Sequence, residues 1–471
     1  MTIDKPSPML HQLHIDQFAR PLRFISVLGP LVIILWLQSF GSLMVEALRG
    51  NFYVLAFILA FGFTAWVCWR TVDVISVVTN SLMLIAYRVL GALCLILVLV
   101  FGALMAFSDD IDFSFFQQLG GFIQWLFVGI ITMLAARSLK RLRRTKIDKI
   151  GITLEELVRS LRPTTPAKQT PWFSTVLASP GALRFIVIAV ILFGIYSGIN
   201  IYANSLNEKM TSPESFNSLL SSLTTFSTLS FAATCYFLLR ARAKLQPTAE
   251  SVLSKDRRAP VLFLRSFVDD ERVHFDSNEA GRTLFDFSLE ARLAAHFFET
   301  GPFIAVDSPK HTAAIGAARA SLPETDWQGK VVEWMGGARL IVLLAGLTQW
   351  VRWEMRQIVE LGYGRKLIIL MPELSGRKRK LRSGLARKRV EIIRETFSGS
   401  PWEASINEPC VPEKIRSLMF GPDGQVTAVC AKSRSRDCYQ LAALISEYLI
   451  CNEQKNEAAH TAIGCHAVNA A

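Results

Sequence analysis

Apolar positions follow two rhythms along this chain, and the change falls near Arg240. Before it, long runs dominate: Phe24–Val45, Tyr53–Trp69, Val89–Phe107, Phe122–Ala136, Phe185–Ala203 and Leu219–Leu239. Most approach the ~20 residues that carry a helix across ~30 Å of hydrocarbon. Val89–Phe107 has no polar face, which distinguishes it from an amphipathic helix on a soluble core. The expectation is an α-helical membrane bundle of six transmembrane helices over residues 24–240, after a tail at 1–23.

After Arg240 the apolar runs shorten and alternate with helical patterns. Residues 241–259 read as a charged linker. Val261–Phe267, Phe303–Val306, Leu340–Leu344, Leu367–Met371 and Val426–Ala431 read as strands. Helical patterns cover Thr283–Glu299, Trp327–Met335, Gln349–Gly362, Leu381–Phe397 and Asp437–Ile450. Near-continuous apolar strands separated by helices imply a parallel sheet covered on both faces. The second expectation is therefore an α/β, flavodoxin-like, five-stranded parallel-sheet domain over 260–451, with a disordered tail at 452–471. In that fold ligands bind beyond the carboxyl ends of the strands.

Composition agrees with the first rhythm. Of 471 residues, 51% are hydrophobic and 19% charged, and the mean hydropathy is +0.32. The formal net charge of +12 calls for acidic partners or a bilayer that orients basic loops. Basic residues cluster at Arg20 and Arg23, across Arg137–Lys149 and again at Arg240–Lys244, whereas Asp109, Asp110 and Asp112 mark the opposite side. By the positive-inside bias this predicts a multipass inner (cytoplasmic) membrane protein with both termini cytoplasmic. The spans lack ionisable residues, which disfavours a transporter. Eight cysteines form no C-x-x-C pair, so a reducing compartment fits and no metal is expected. P-loop, dinucleotide-fingerprint, zinc-protease and nucleophile-elbow motifs are absent.

Two loops combine residues suited to chemistry. The first runs Arg265-Ser266-Phe267-Val268-Asp269-Asp270-Glu271, and the second holds Thr348, Trp350 and Glu354. Trp350 and Glu354 are four apart and share a helix face. A carboxylate beside an aromatic ring can hold ribose hydroxyls and stabilise an oxocarbenium-like cation. Glu354 can equally complement the helix dipole, and Asp269 and Asp270 can cap the next segment. A third feature is the basic run of Arg377, Lys378, Arg379, Lys380 and Arg382, continued by Arg387, Lys388 and Arg389. It has no interleaved aromatics, so base stacking is not indicated; the run can be a solvated helix face, and a phosphorylated ligand or, less readily, nucleic acid can also meet it. Docking on anionic lipid, at ~1 kcal/mol per Lys or Arg, is the simplest specific reading.

Residues 260–400 resemble a divergent Toll/interleukin-1-receptor (TIR) domain. The resemblance rests on Val261–Phe267 with Asp269-Asp270-Glu271, and on Leu340–Leu344 followed by Thr348 and Trp350-x-x-x-Glu354. Val351 stands where the family usually has Cys. Enzymatic members are NAD glycohydrolases that use the Glu of this block. The resemblance thus implies Glu354 as the catalytic residue. Arg265, Ser266, Phe267, Asp269, Asp270, Thr348 and Trp350 would line the substrate cleft. It also implies NAD or a related nucleotide as substrate, no resident cofactor, and a role in signalling or defence; tethering in a plane adds the expectation of self-association through the α/β domain. Other members are adaptors without catalysis, so a nucleotide-binding or self-associating scaffold is the alternative.

Overall fold

The computed structural model describes residues 10–22, 113–161, 180–207, 213–265 except 246, 273–274, 289–297, 300–307, 316–322, 326–374 and 379–468, with isolated helical positions between 88 and 99. The first element is strand β1 (Leu10–His14). Four helices follow: α1 (Phe113–Arg144), α2 (Leu154–Leu161), α3 (Pro180–Asn207) and α4 (Pro213–Lys244). The remainder begins with α5 (Ala249–Lys255), β2 (Val261–Leu264), β3 (Val273–His274), α6 (Leu289–Phe297), β4 (Phe303–Asp307) and β5 (Ala318–Ser321). It continues through α7 (Trp327–Gly337), β6 (Leu340–Leu344), α8 (Gln349–Glu360), β7 (Leu367–Leu370) and β8 (Glu373–Leu374). The last elements are α9 (Arg379–Thr396), α10 (Glu403–Ile406), β9 (Ile415–Phe420), β10 (Val426–Cys430) and α11 (Arg436–Val468).

Eight strands form one mixed sheet in the order β1-β10-β9-β7-β6-β2-β4-β5. The five-stranded parallel sheet expected from sequence is thereby corrected. The run β7-β6-β2-β4-β5 is parallel, but β9 pairs antiparallel with both β7 and β10. β1 adds in parallel to β10, Leu10 opposite Val426. The added strands follow from how polar groups are paired. Arg416 is only 2% exposed, yet its guanidinium donates to the carbonyls of Ile415, Glu413, Ala431 and Ser433. With those bonds made, a strand carrying a cation can lie inside a sheet.

Helices cover both faces, because every residue of β2, β6 and β7 is buried. Leu262, Leu264, Ile341 and Leu343 pack with Val331 and Met335 of α7, Val351, Met355 and Ile358 of α8, and Val390 and Ile393 of α9. Val261, Phe263, Leu340 and Val342 pack on the other face with Leu293 and Phe297 of α6 and Tyr439 and Ala443 of α11. The two sets alternate along each strand, as the pleat requires.

A third cluster corrects the reading of the first half. Ile131, Ala135, Ala136, Leu139 and Leu142 of α1 are buried with Ile15, Phe18 and Leu22 after β1, Leu154 and Leu157 of α2, and Leu441 and Leu444 of α11. The span read at Phe122–Ala136 therefore runs into a helix whose carboxyl-terminal half is core of the α/β unit. The spans at Phe24–Val45 and Tyr53–Trp69 lie outside the described residues, as does nearly all of Val89–Phe107. Among the described residues one helix, Gly181–Ile199, is long and apolar enough to cross a membrane. The six-helix bundle and the multipass inner-membrane location, with both termini cytoplasmic, are not supported. The tail at 452–471 is corrected too: α11 continues to Val468.

Since β1 and the helical residues 16–22 that follow it close this third cluster, a fragment that begins at the linker leaves its face uncovered. Phe18, wholly buried, is expected to contribute about 3–5 kcal/mol by comparison with other Phe-to-Ala core truncations. Equilibrium denaturation of the full chain carrying Phe18→Ala checks this.

Candidate functional site

Chain order places the sheet's topological switch between β2 and β6. From β2 the chain moves outward to β4 and β5, then returns to β6 on the other side of β2 and continues to β7. At such a point the loops leaving the two neighbouring strands diverge, and a crevice opens beyond their carboxyl ends. The loops leaving β2 and β7 meet in a two-stranded antiparallel ladder, β3 with β8. That ladder ties together the two segments that flank the end of β6.

Helix α8 starts here. Thr348 occupies its N-cap position with extended backbone, but its side chain makes no cap hydrogen bond. Its Oγ1 is buried and without a hydrogen-bond partner, and so is Oε2 of Glu354. Glu354 is 6% exposed. At 100° per residue it sits on the shoulder of the stripe Val351, Met355 and Ile358, which faces the sheet. The neighbouring face carries Trp350 and Trp353, whose rings each meet Trp327 of α7 edge-on at 5.2 Å between centroids. Trp350 remains 48% exposed.

The carboxyl of Glu354 thus lies between apolar packing and an aromatic rim. Burial alone pushes its pKa up to about 8. A carboxyl without a compensating cation loses hydration on ionising, which favours the neutral acid. Thr348 and Glu354 each leave a buried polar atom unpaired on the helix that starts at the switch point, and perturbed carboxyls of this kind concentrate at functional sites.

Arg265 lies elsewhere. It continues the alternation of Val261 and Phe263 and so projects from the face opposite α8. There its Nη1 lies 2.9 Å from Glu290 Oε2. Arg319 Nη2 reaches Oε1 of the same carboxylate at 2.8 Å, and the amide of Ala317 donates to it at 3.0 Å. A Cβ at position 316 would sit 2.4 Å from Glu290 Oε1, so Gly316 lets the chain pass. Arg265 and Glu354 are therefore separated by the sheet. Ser266, Phe267, Asp269 and Asp270 lie outside the described residues, as do Arg377 and Lys378. Arg379, Lys380 and Arg382 fall in the first turn of α9. Further along the basic run, Arg387 and Lys388 are exposed. Arg389 instead is buried, and its Nη1 donates to the carbonyls of Ala345 and Pro372 beyond the ends of β6 and β7. It braces the loops that carry Thr348 and β8.

Several buried polar groups were not singled out from the sequence. Arg292 pairs with Asp437, and Glu447 accepts from Thr300 and lies 2.6 Å from His296 Nε2. These contacts clamp α6 to α11. Their partners are about 150 residues apart, and no local spacing announces them. Among the described residues no group of three or more His, Cys, Asp or Glu is placed to hold a metal. No family model, curated protein or solved structure matches the chain.

The raised pKa fixes a dependence of stability on pH. An unfolded Glu ionises near its ordinary value of 4.5 and the folded one near 8. The folded state therefore holds the extra proton between those values. Stability tied to Glu354 is fully present below the lower value and is lost at ~1.4 kcal/mol per pH unit as pH rises towards the upper one. Glu354→Gln, which cannot ionise, is expected to remove this slope. Thermal melts of both proteins from pH 5 to pH 9 should show the variant's relative Tm climbing until about pH 8 and then levelling.

Proposed function

We propose that the α/β unit binds a nucleotide at the carboxyl edge between β2 and β6, and that Glu354 acts on its N-glycosidic bond. This is the TIR-like reading of the sequence, with NAD as the leading substrate. The observation that carries it is the buried, unbonded carboxyl oxygen of Glu354 on α8, the helix that starts at the switch point of the sheet and whose N-cap hydroxyl, on Thr348, is unbonded as well. Trp350, one turn before Glu354 on the same helix, supplies an exposed ring on which a base can stack.

The chemistry suits the setting. The bond from C1′ to the nicotinamide nitrogen breaks with its electron pair leaving on nitrogen, so the cationic ring departs neutral. The ribosyl carbon left behind carries positive charge, which an ionised carboxylate in a poorly hydrated site stabilises more than water does. Water then adds at C1′ and releases one proton. A bound pyridinium itself favours ionisation of Glu354, because an opposite charge nearby lowers a carboxyl pKa. The nearly complete burial of Glu354 favours a second reading, in which the same edge binds a nucleotide or another copy of the domain without turnover.

Nicotinamide release from NAD by the purified full chain separates the two. The hydrolase reading expects turnover that rises with pH towards a plateau near 8, and a loss of at least about 100-fold in Glu354→Gln. Trp350→Ala should raise KM more than it lowers kcat. Equal turnover in wild type and Glu354→Gln removes Glu354 from the mechanism. Calorimetric binding of NAD without product supports the binding module instead.

A further inference from the structure

Helices α3 and α4 are packed as an antiparallel pair. A Cβ on Gly181 would lie 4.0 Å from Cδ of Lys244, the rings of Phe185 and Phe237 stack at 6.0 Å, and Tyr196 meets Phe231 at 5.3 Å. The contact uses one stripe of each helix. Ala182, Ala189, Phe193 and Tyr196 are buried on α3, and Phe231, Cys235 and Leu238 on α4. The opposite side of α3 is apolar as well, yet uncovered: Val187, Ile191 and Ile195 are 49%, 57% and 47% exposed. On α4, Phe226 and Leu229 are 64% and 61% exposed. A helix that is apolar all round is not a water-facing helix.

Charge shows what covers that side. No Asp, Glu, Lys or Arg occurs between Arg184 and Glu208, or between Glu214 and Arg240. Arg184, Arg240 and Lys244 are exposed, and the approach of Gly181 to Lys244 puts them at one end of the pair. Arg240 Nε donates to the hydroxyl of Tyr236 at 2.9 Å, and its guanidinium lies 5.3 Å from the centre of that ring. An apolar stretch ending in a tyrosine and a set of cations matches hydrocarbon ending in anionic headgroups. The length agrees: Gly181–Ile199 has 19 residues and a mean hydropathy of 2.2, which at 1.5 Å per residue is about 28 Å. A second copy laid parallel on this side would oppose like charges at the basic end.

We propose that the exposed face of α3 seats in a lipid bilayer, with Arg184, Arg240 and Lys244 at the phosphate level of one surface. This concerns one helix and its packing partner, and it stands apart from the chemistry assigned to Glu354.

The full chain, purified in detergent, is mixed with preformed vesicles of phosphatidylcholine alone or with added phosphatidylglycerol. The detergent is removed and the vesicles are floated on a density gradient. The protein is expected to float, to resist an alkaline wash, and to favour the anionic vesicles. Joint replacement Ile191→Asp and Ile195→Asp should lower the vesicle-bound fraction by at least about tenfold, because acids are poorly tolerated at the centre of an apolar helix. Arg184→Glu with Arg240→Glu and Lys244→Glu alters exposed positions only, and should erase the preference for phosphatidylglycerol. Wild type that stays at the bottom of the gradient overturns the proposal. So does a detergent-free oligomer of defined size that Ile191→Asp dissociates, since a second copy would then occupy the face.

Discussion

A sheet whose central strands are apolar on both sides must be covered on both sides, and most of this architecture answers that constraint. Every residue of β2, β6 and β7 is removed from water. Helices α7, α8 and α9 meet one face and α6 and α11 the other. Burial at about 25 cal/mol per Å² of apolar surface drives this, but polar groups decide where it can happen. Arg416 enters the sheet because four carbonyls receive its guanidinium. Glu290 stays beneath the strand ends because two arginines and an amide surround it.

Glu354 stands out against that background. On the other face of the sheet the buried carboxylates are compensated, whereas burial alone governs this carboxyl. The fold pairs Glu290, Asp437 and Glu447 and leaves Oε2 of Glu354 unbonded, which places an electrostatic cost there. The helix that carries it starts at the switch in strand order, where an α/β sheet opens to ligands. The coincidence, rather than the Trp-x-x-x-Glu spacing, gives the site its physical interest.

Much of the central sheet was legible, and the reason is local. Val261–Leu264, Leu340–Leu344 and Leu367–Leu370 are continuous apolar runs bounded by breakers, and this pattern has few other solutions. β9 was hidden because Arg416 and Ser417 interrupt its apolar run, and their partners lie far away in sequence. β1 was hidden because His11 and His14 make Leu10–His14 read as a polar tail. Hydropathy also overstated the membrane content: α1 is apolar because half of it is protein core, and a window of residues does not distinguish lipid from the underside of a sheet. At the site, Thr348, Trp350 and Glu354 were visible from helix periodicity. The diversion of Arg265 to Glu290 was not, since it depends on which face a strand presents at its last position.

The pairing of β1 with β10 has a consequence for how the molecule is made. Leu10 and Val426 stand opposite each other on paired strands and are separated by almost the whole described chain. β1 leaves the ribosome long before β10 and cannot find this partner until the segment between them has been synthesised. Contacts of such sequence separation form slowly. Until β10 appears, Ile15, Phe18 and Leu22 have no α11 to cover them, and the nascent chain carries an unfinished apolar surface throughout its elongation.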